Sequence, residues 1–226
     1  MRIVVLGANG GTGRRLVQQA LDAGHEVRAV TRQPQSFPIS GPGLEVVAAD
    51  VTVDVPVAGA EVVLSTLGVP FTRQPVLLYS RSTATVVAAM RRQSVRRLVV
   101  VSSSATEPHH HAEGGFLLNR VIQPLVTATI GKTTYDDMRA MEAVVRDSNL
   151  DWTIVRPSGL FDSDNVTRYR LSENRSDGVF TSRADLAACL LAQATDTAWV
   201  ERTVAVTTAQ GAPTLWAMLR REAFGR

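Results

Sequence analysis

Arg2-Ile3-Val4-Val5-Leu6-Gly7-Ala8-Asn9-Gly10-Gly11-Thr12-Gly13 is the stretch that decides the fold of this chain. Ile3 to Leu6 form an unbroken apolar run, the pattern of a strand covered on both faces. Glycines close it, and Thr12–Ala23 then carries Leu16, Ala20 and Leu21 at helical spacing, with Gly24 as a stop. Gly7, Gly10 and Gly13 make a G-x-x-G-x-x-G loop between strand and helix. Such a turn must be free of Cβ obstruction, and its backbone N–H groups must approach a pyrophosphate closely. The last glycine also lets the helix pack on the strand. A glycine triplet alone is weak evidence. Between a strand and a helix it reads as a dinucleotide loop, the alternative being a plain tight turn.

Outward from the loop, β-branched runs alternate with helical periods. Strands are expected at Glu26–Thr31, Leu44–Ala49, Glu61–Thr66, Arg97–Ser102, Asp151–Arg156 and Thr203–Thr207. Helices are expected at Ser80–Gln93, from about Tyr135 to Asn149, near Arg183–Ala194 and briefly at the end of the chain. Strand–helix–strand repeated in this way implies a Rossmann-type α/β fold: a doubly wound, mostly parallel sheet with helices on both faces. No internal repeat or linker divides the chain, so residues 1–226 are read as one domain. Ligands of such sheets sit beyond the carboxyl ends of the strands.

Composition agrees with that size. A chain of 226 residues buries roughly 70–75% of its unfolded surface without help from metal or disulfide. It is 45% hydrophobic and 20% charged, which excludes a disordered tail or a membrane channel. The net charge of +3 is too slight to argue for nucleic acid. Lys132 is the one lysine, so arginine carries nearly all the positive charge and lifts the isoelectric point to 9.6. Cys189 is the single cysteine, no apolar run approaches the ~20 residues of a membrane span, and no secretion signal is evident. A cytoplasmic protein is expected, monomeric or homodimeric, with no membrane or nucleic-acid partner.

The end of the second strand bears on the cofactor. An NAD site places Asp or Glu there to accept from the ribose 2′-hydroxyl. Thr31 and Arg32 stand there instead, and a cation with a hydroxyl suits a 2′-phosphate. NADP(H) is therefore expected in preference to NAD(H), the plainer reading of Arg32 being a solvated surface residue.

With these residues in place, the sequence resembles the atypical short-chain dehydrogenase/reductases, within them the single-domain NAD(P)H-binding group containing biliverdin-IXβ/flavin reductase. Besides the loop, the resemblance rests on Ala49-Asp50-Val51, Leu67-Gly68, Val101-Ser102-Ser103-Ser104 and Tyr135-Asp136-Asp137-Met138-Arg139 with Glu142. It continues through Leu150-Asp151-Trp152-Thr153-Ile154-Val155-Arg156-Pro157 and Ser182-Arg183-Ala184-Asp185-Leu186. It implies that Gly7, Asn9, Gly10, Gly11, Thr12 and Gly13 hold the pyrophosphate, and that Asp50 and Val51 flank the adenine. Leu67 and Gly68 would run along the cofactor, with Ser102 and Ser103 beside the nicotinamide. Pro157, Ser158 and Gly159 would belong to a loop closing over its amide. Asp50 has a helix cap as its alternative.

The resemblance also supplies the candidates for chemistry. Ser104 aligns with a serine near the reacting centre, where a hydroxyl polarises the acceptor. The usual Tyr-x-x-x-Lys pair lowers a tyrosine pKa so that it can protonate an alkoxide; here Tyr135 has Arg139 at the fourth place. Ser104 and Tyr135 are thus the candidate catalytic residues, with capping and packing as their plainer roles. Substrate-pocket elements are expected at about 105–135 and 157–182.

Other constellations read as structural. His109-His110-His111 are consecutive and converge poorly on an ion, so no metal site is expected. Gly131-Lys132-Thr133 echoes a phosphate loop but has Val126 where the first glycine must stand. Asp136 and Asp137 diverge by about 100° on a helix and are read as favouring its positive end, as is Asp185. Arg91, Arg92, Arg96 and Arg97 are read as a solvated face and Cys189 as a small buried hydrophobe. Phe116–Val126, after the hinge-like Gly114-Gly115, is read as an amphipathic pocket wall or a dimer contact.

The expected function is an NADPH-dependent reductase passing hydride to a planar conjugated small molecule such as a flavin or quinone. The alternative is a sensor that binds NADP(H) without turnover. A nucleotide-sugar epimerase fits less well, because it needs a larger substrate lobe.

Overall fold

The computed structural model describes residues 1–70, 72, 74–107, 131–175 and 178–211. Ten strands and four helices are found among them. In chain order they are β1 (Arg2–Leu6), α1 (Gly11–Asp22), β2 (Glu26–Thr31), β3 (Leu44–Ala48), β4 (Val62–Ser65), α2 (Leu78–Arg92) and β5 (Arg97–Val101). There follow α3 (Lys132–Arg146), β6 (Asp151–Pro157), β7 (Gly159–Phe161), β8 (Tyr169–Glu173), β9 (Phe180–Ser182), α4 (Arg183–Ala192) and β10 (Arg202–Thr208).

The main sheet runs β3-β2-β1-β4-β5-β6-β10-β8, parallel throughout except for β8, which pairs antiparallel with β10. Alternating side chains of β1 enter opposite cores: Ile3 and Val5 pack with Leu16, Val17, Leu186 and Leu190, whereas Val4 and Leu6 pack with Met90, Met141 and Trp152. Helices α1 and α4 cover the first face, α2 and α3 the second. This explains why β1 reads as continuously apolar. The doubly wound sheet expected from the sequence is therefore present, and its strand order reverses between β1 and β4. The carboxyl ends of those two strands splay around a crevice there.

Several expectations need correction. The segment after Pro157 is not a free loop, because β7 pairs in parallel with β9, Gly159 opposite Phe180. The antiparallel edge strand β8 was also absent from the sequence reading, since Tyr-Arg-Leu-Ser-Glu is too short and too polar to stand out. Helix α2 begins two residues earlier than expected, because a carboxylate from another helix caps it. Asp137, buried in α3, accepts from the Tyr79 N–H at 2.8 Å, the Ser80 N–H at 3.3 Å and the Ser80 hydroxyl. Asp137 thus serves the positive end of α2, not of its own helix. Helix α3 ends before Asn149, which adopts φ +53°.

The arginine cluster is no simple solvated face either. Arg97 donates to the carbonyls of Gln193 and Asp151 and to Thr153, Arg91 donates to the Ser148 carbonyl, and Arg96 pairs with Asp151. Asp185 is fully buried and accepts from Thr167 and Thr208, tying α4 to the segment before β8 and to the end of β10. Cys189 is buried as expected, and burial pushes its thiol up to about 12. His109–His111, Phe116–Val126 with its hinge, and the final helix lie outside the described residues. No described helix is long and apolar enough to cross a membrane. The described residues hold no cluster of three or more His, Cys, Asp or Glu arranged for a metal.

Candidate functional site

A cleft of about 980 Å³ opens along the carboxyl ends of β1 to β6. Its floor is the glycine loop, whose conformation is dictated by missing side chains. Gly7 has φ +72°, and a Cβ there would lie 2.8 Å from the Thr66 carbonyl oxygen. At Gly13 a Cβ would lie 2.3 Å from the Gly7 oxygen, so α1 seats directly on the turn. Gly10, the N-cap of α1, offers no side chain to the first turn, which also contains no acid. The N–H groups and positive end of α1 therefore face the cleft with no acid in the helix's own first turn, a setting that accepts a phosphate.

Of the sequence candidates, Gly7, Asn9, Gly10, Gly11, Thr12, Arg32, Asp50, Val51, Leu67, Gly68, Ser102, Ser103, Ser104, Tyr135, Pro157, Ser158 and Gly159 all line this cleft. Gly13 does not; it packs beneath the loop. Asn9 donates to the Ser36 hydroxyl at 3.1 Å and accepts from Arg14 at 3.0 Å, joining the loop to the turn that follows Arg32. At the end of β3, Asp50 accepts from the Thr52 N–H and hydroxyl at 2.9 and 2.7 Å. Those bonds hold its carboxyl below the usual range, with the Arg32 charge adding to the effect. Asp50 thus caps a turn rather than a helix. The strand-end arginine also has an acid close by, although none stands near it in sequence.

The three serines after β5 have different partners. Ser102 donates to buried Glu142 at 2.7 Å, so its hydroxyl points away from a ligand. Ser103 accepts from the Ala105 N–H at 3.2 Å and is hydrogen-bonded to the Tyr135 phenol. Ser104 starts a short 3-10 turn and has no side-chain hydrogen bond among the described residues. It is the hydroxyl of the three left to meet a ligand. Ser158, by contrast, has its N–H committed to Thr181 at 3.0 Å and its hydroxyl to the Gly178 carbonyl at 3.0 Å. The Gly159 N–H bonds to the Val179 carbonyl at 2.9 Å. The amide-closing loop implied by the resemblance is in this structure a pinned strand.

Tyr135 and Arg139 do not act as a pair. Arg139 donates to the Thr106 carbonyl at 2.7 Å and to Asp136 at 2.6 Å. Burial raises the Tyr135 phenol above its ordinary value, against the smaller opposite effect of the Ser103 bond. It remains a neutral hydrogen-bonding group rather than an activated acid.

Beneath the serines lies a charged network that sequence reasoning quoted without a role. Glu142 takes two bonds from Arg156, at 2.9 and 2.7 Å, and one each from Ser102, Thr106 and Arg146. Burial pushes its carboxyl up, but the Arg156 bonds and charge outweigh this and hold it below the usual range. Arg156 also donates to Glu107, which Arg175 reaches from the other side, and these bonds lower Glu107 to about 2. Two further cleft residues have no role assigned from the sequence, although Arg183 lies in one of the motifs that carry the resemblance. Thr134 is buried with a hydroxyl that has no partner among the described residues, and Arg183 reaches in from the start of α4.

Solved structures share this architecture. A Lactobacillus casei protein superimposes with TM-score 0.78 at 21% identity, over 92% of this chain and 100% of its own. A short-chain dehydrogenase/reductase from Veillonella parvula in complex with NADP gives 0.74 at 20%, over 92% and 95%. A candidate NADH-flavin reductase from Streptococcus pneumoniae gives 0.74 at 21%, over 92% and 99%. At 20–21% identity these likenesses are likenesses of fold. Residues 7–197 match the family described as NAD(P)H-binding. Since that match starts at the first glycine of the loop and takes in every strand end that forms the cleft, the chain belongs to the NAD(P)H-binding family.

Proposed function

We propose that the protein is an NADPH-dependent reductase that passes hydride to a planar conjugated acceptor, a flavin or a quinone. The observation that carries this reading is the continuity of the cleft. It runs from Arg32 past the glycine loop to the Ser104 hydroxyl, which has no side-chain hydrogen bond among the described residues, between the apolar side chains of Leu67, Val69, Met138 and Leu160. The likeness to a candidate NADH-flavin reductase points the same way. Gly7, Gly10 and Gly11 fit a pyrophosphate, and Arg32 suits a 2′-phosphate.

The bound nicotinamide supplies the hydride, so the protein's part is orientation and polarisation. Ser104 donates a hydrogen bond to the acceptor oxygen or nitrogen that gains electron density. The Tyr135 phenol stays protonated and, linked to Ser103, shapes the acceptor end of the cleft. Apolar walls exclude water and favour a flat, conjugated ring over a sugar.

A second reading, binding without turnover, draws on one observation: Arg139 is engaged with the Thr106 carbonyl and Asp136 while burial raises the Tyr135 phenol above its ordinary value. Oxidation of NADPH by the purified protein across a panel of flavins and quinones separates the two. Turnover above a protein-free control, reduced about 10-fold to 100-fold in Ser104→Ala, is the expected result. NADPH binding with no acceptor reduced would establish the sensor instead.

A further inference from the structure

We propose that Arg183, 172 positions beyond Gly11 in the chain, is a binding residue for the diphosphate of the dinucleotide. The inference rests on the dinucleotide reading of the cleft and assigns a residue outside the glycine loop to it.

The argument begins with space. Arg183 is the first residue of α4, and its side chain crosses the first residue of α1. A Cβ on Gly11 would stand 2.9 Å from the Arg183 Cδ and 3.1 Å from its Nε. Gly11 is thus small for a second reason: its missing side chain leaves a channel for the arginine arm. That arm ends in the cleft beside the uncapped N-terminus of α1.

Charge gives an independent argument. A cation in the first turn of its own helix lies at the unfavourable end of the helix dipole. Such a placement calls for an anion. In that first turn the buried Asp185 carboxylate is committed to Thr167 and Thr208, and the carboxylate that Arg183 meets is the exposed Asp162, 3.3 Å from it and also 3.3 Å from Arg15. Arg15 is further engaged with the carbonyls of Gly11 and Ser163, and Arg14 with Asn9. One carboxylate between two guanidinium groups leaves the loop with a positive surplus, next to N–H groups that also favour an anion. Of the two, Arg183 lines the cleft and Arg15 does not. A diphosphate provides the missing negative charge and the oxygens for a forked donor. Asp162 holds the guanidinium over the loop from the solvent side, which fixes its direction before a ligand arrives.

The site is distinct from that of Arg32, which lies at the end of β2 and faces the ribose end. The two arginines should therefore read different parts of the same molecule. Calorimetric titration of the full chain with three probes tests this: NADP⁺, ADP-ribose (diphosphate without 2′-phosphate) and adenosine 2′-monophosphate (2′-phosphate without diphosphate). Arg183→Ala should weaken NADP⁺ and ADP-ribose alike, by about tenfold or more, and leave adenosine 2′-monophosphate within about twofold. Arg183→Lys, which keeps the charge but not the fork, should fall between. Unchanged affinity for NADP⁺ and ADP-ribose in Arg183→Ala, with the parent binding both, would overturn this assignment alone. Equal weakening of all three probes would overturn it too, as a sign of general damage to the cleft. A parent that binds neither NADP⁺ nor ADP-ribose would overturn the dinucleotide reading along with it.

Discussion

The two ends of the cleft are built on opposite principles. At the glycine end the shape comes mostly from what is missing: the Gly10 N–H bonds to the Gly7 carbonyl, Gly13 sits over the same oxygen, and Gly11 leaves room for the arm of Arg183. At the serine end the shape comes from polar partners far apart in the chain. Ser102 and Glu142 are 40 residues apart, Arg156 and Glu107 49, and Ser158 and Thr181 23. Within the loop itself, the first end should be most sensitive to an added methyl group. The second should tolerate small changes of shape but not the loss of a charge partner, because a buried ion left alone is far costlier than the pair is favourable.

The largest expected effect tests that contrast directly. Glu142→Ala strips buried Arg156 of its two bonds to a buried carboxylate and should lower stability by about 3–5 kcal/mol in urea unfolding. A loss below about 1 kcal/mol would mean that water repairs the network, and the serine end would no longer be charge-built. Next, Gly13→Ala should cost about 1–3 kcal/mol, because backbone atoms of the turn must move. It should also weaken dinucleotide binding more than any stability change explains. Full binding by a folded Gly13→Ala protein would break the idea that the loop is defined by missing side chains.

Smaller effects sharpen the contrast. Arg32→Asp should shift the ratio of NADPH to NADH affinity toward NADH by about tenfold, read by titration with both. An unchanged ratio would reduce Arg32 to a surface charge screened by Asp50. The smallest effect concerns acid. Glu107 titrates near 2 when folded against an ordinary 4.5, so its contribution is complete above about pH 4.5 and is lost as the pH falls toward 2. Glu107 is partly exposed, which keeps the effect modest. Urea midpoints measured from neutral pH down to that range should fall less steeply in Glu107→Gln than in the parent, and parallel curves would remove Glu107 from the network.

Much of the architecture was legible without coordinates. The parallel strands, the glycine loop and the strand ends could be placed because each depends on local pattern: apolar runs for strands covered on both faces, helical spacing, and turn residues. Nearly all the residues singled out for the cofactor face one cleft for the same reason, since each follows a strand and strand ends in such a sheet converge. Misreadings occurred where a side chain answers to a distant one. Asp137, expected to serve its own helix, caps another; Ser102 and Ser158 line the cleft as expected, but their hydroxyls bond to protein. Arg91 and Arg97 were read as solvated and hold carbonyls of other segments. The strands β7, β8 and β9 had too few residues to carry a period.

The sequence by itself determined the doubly wound sheet, the dinucleotide loop and the edge where ligands are expected. Those features follow from hydrophobic spacing and from backbone freedom, both written in consecutive residues. Only the tertiary structure decided how three neighbouring serines are partnered among the described residues, that Arg139 engages Asp136 and the Thr106 carbonyl, and that Arg183 crosses Gly11. A hydrogen-bonding group has many possible partners, and the one it meets is fixed by how the helices pack on the sheet.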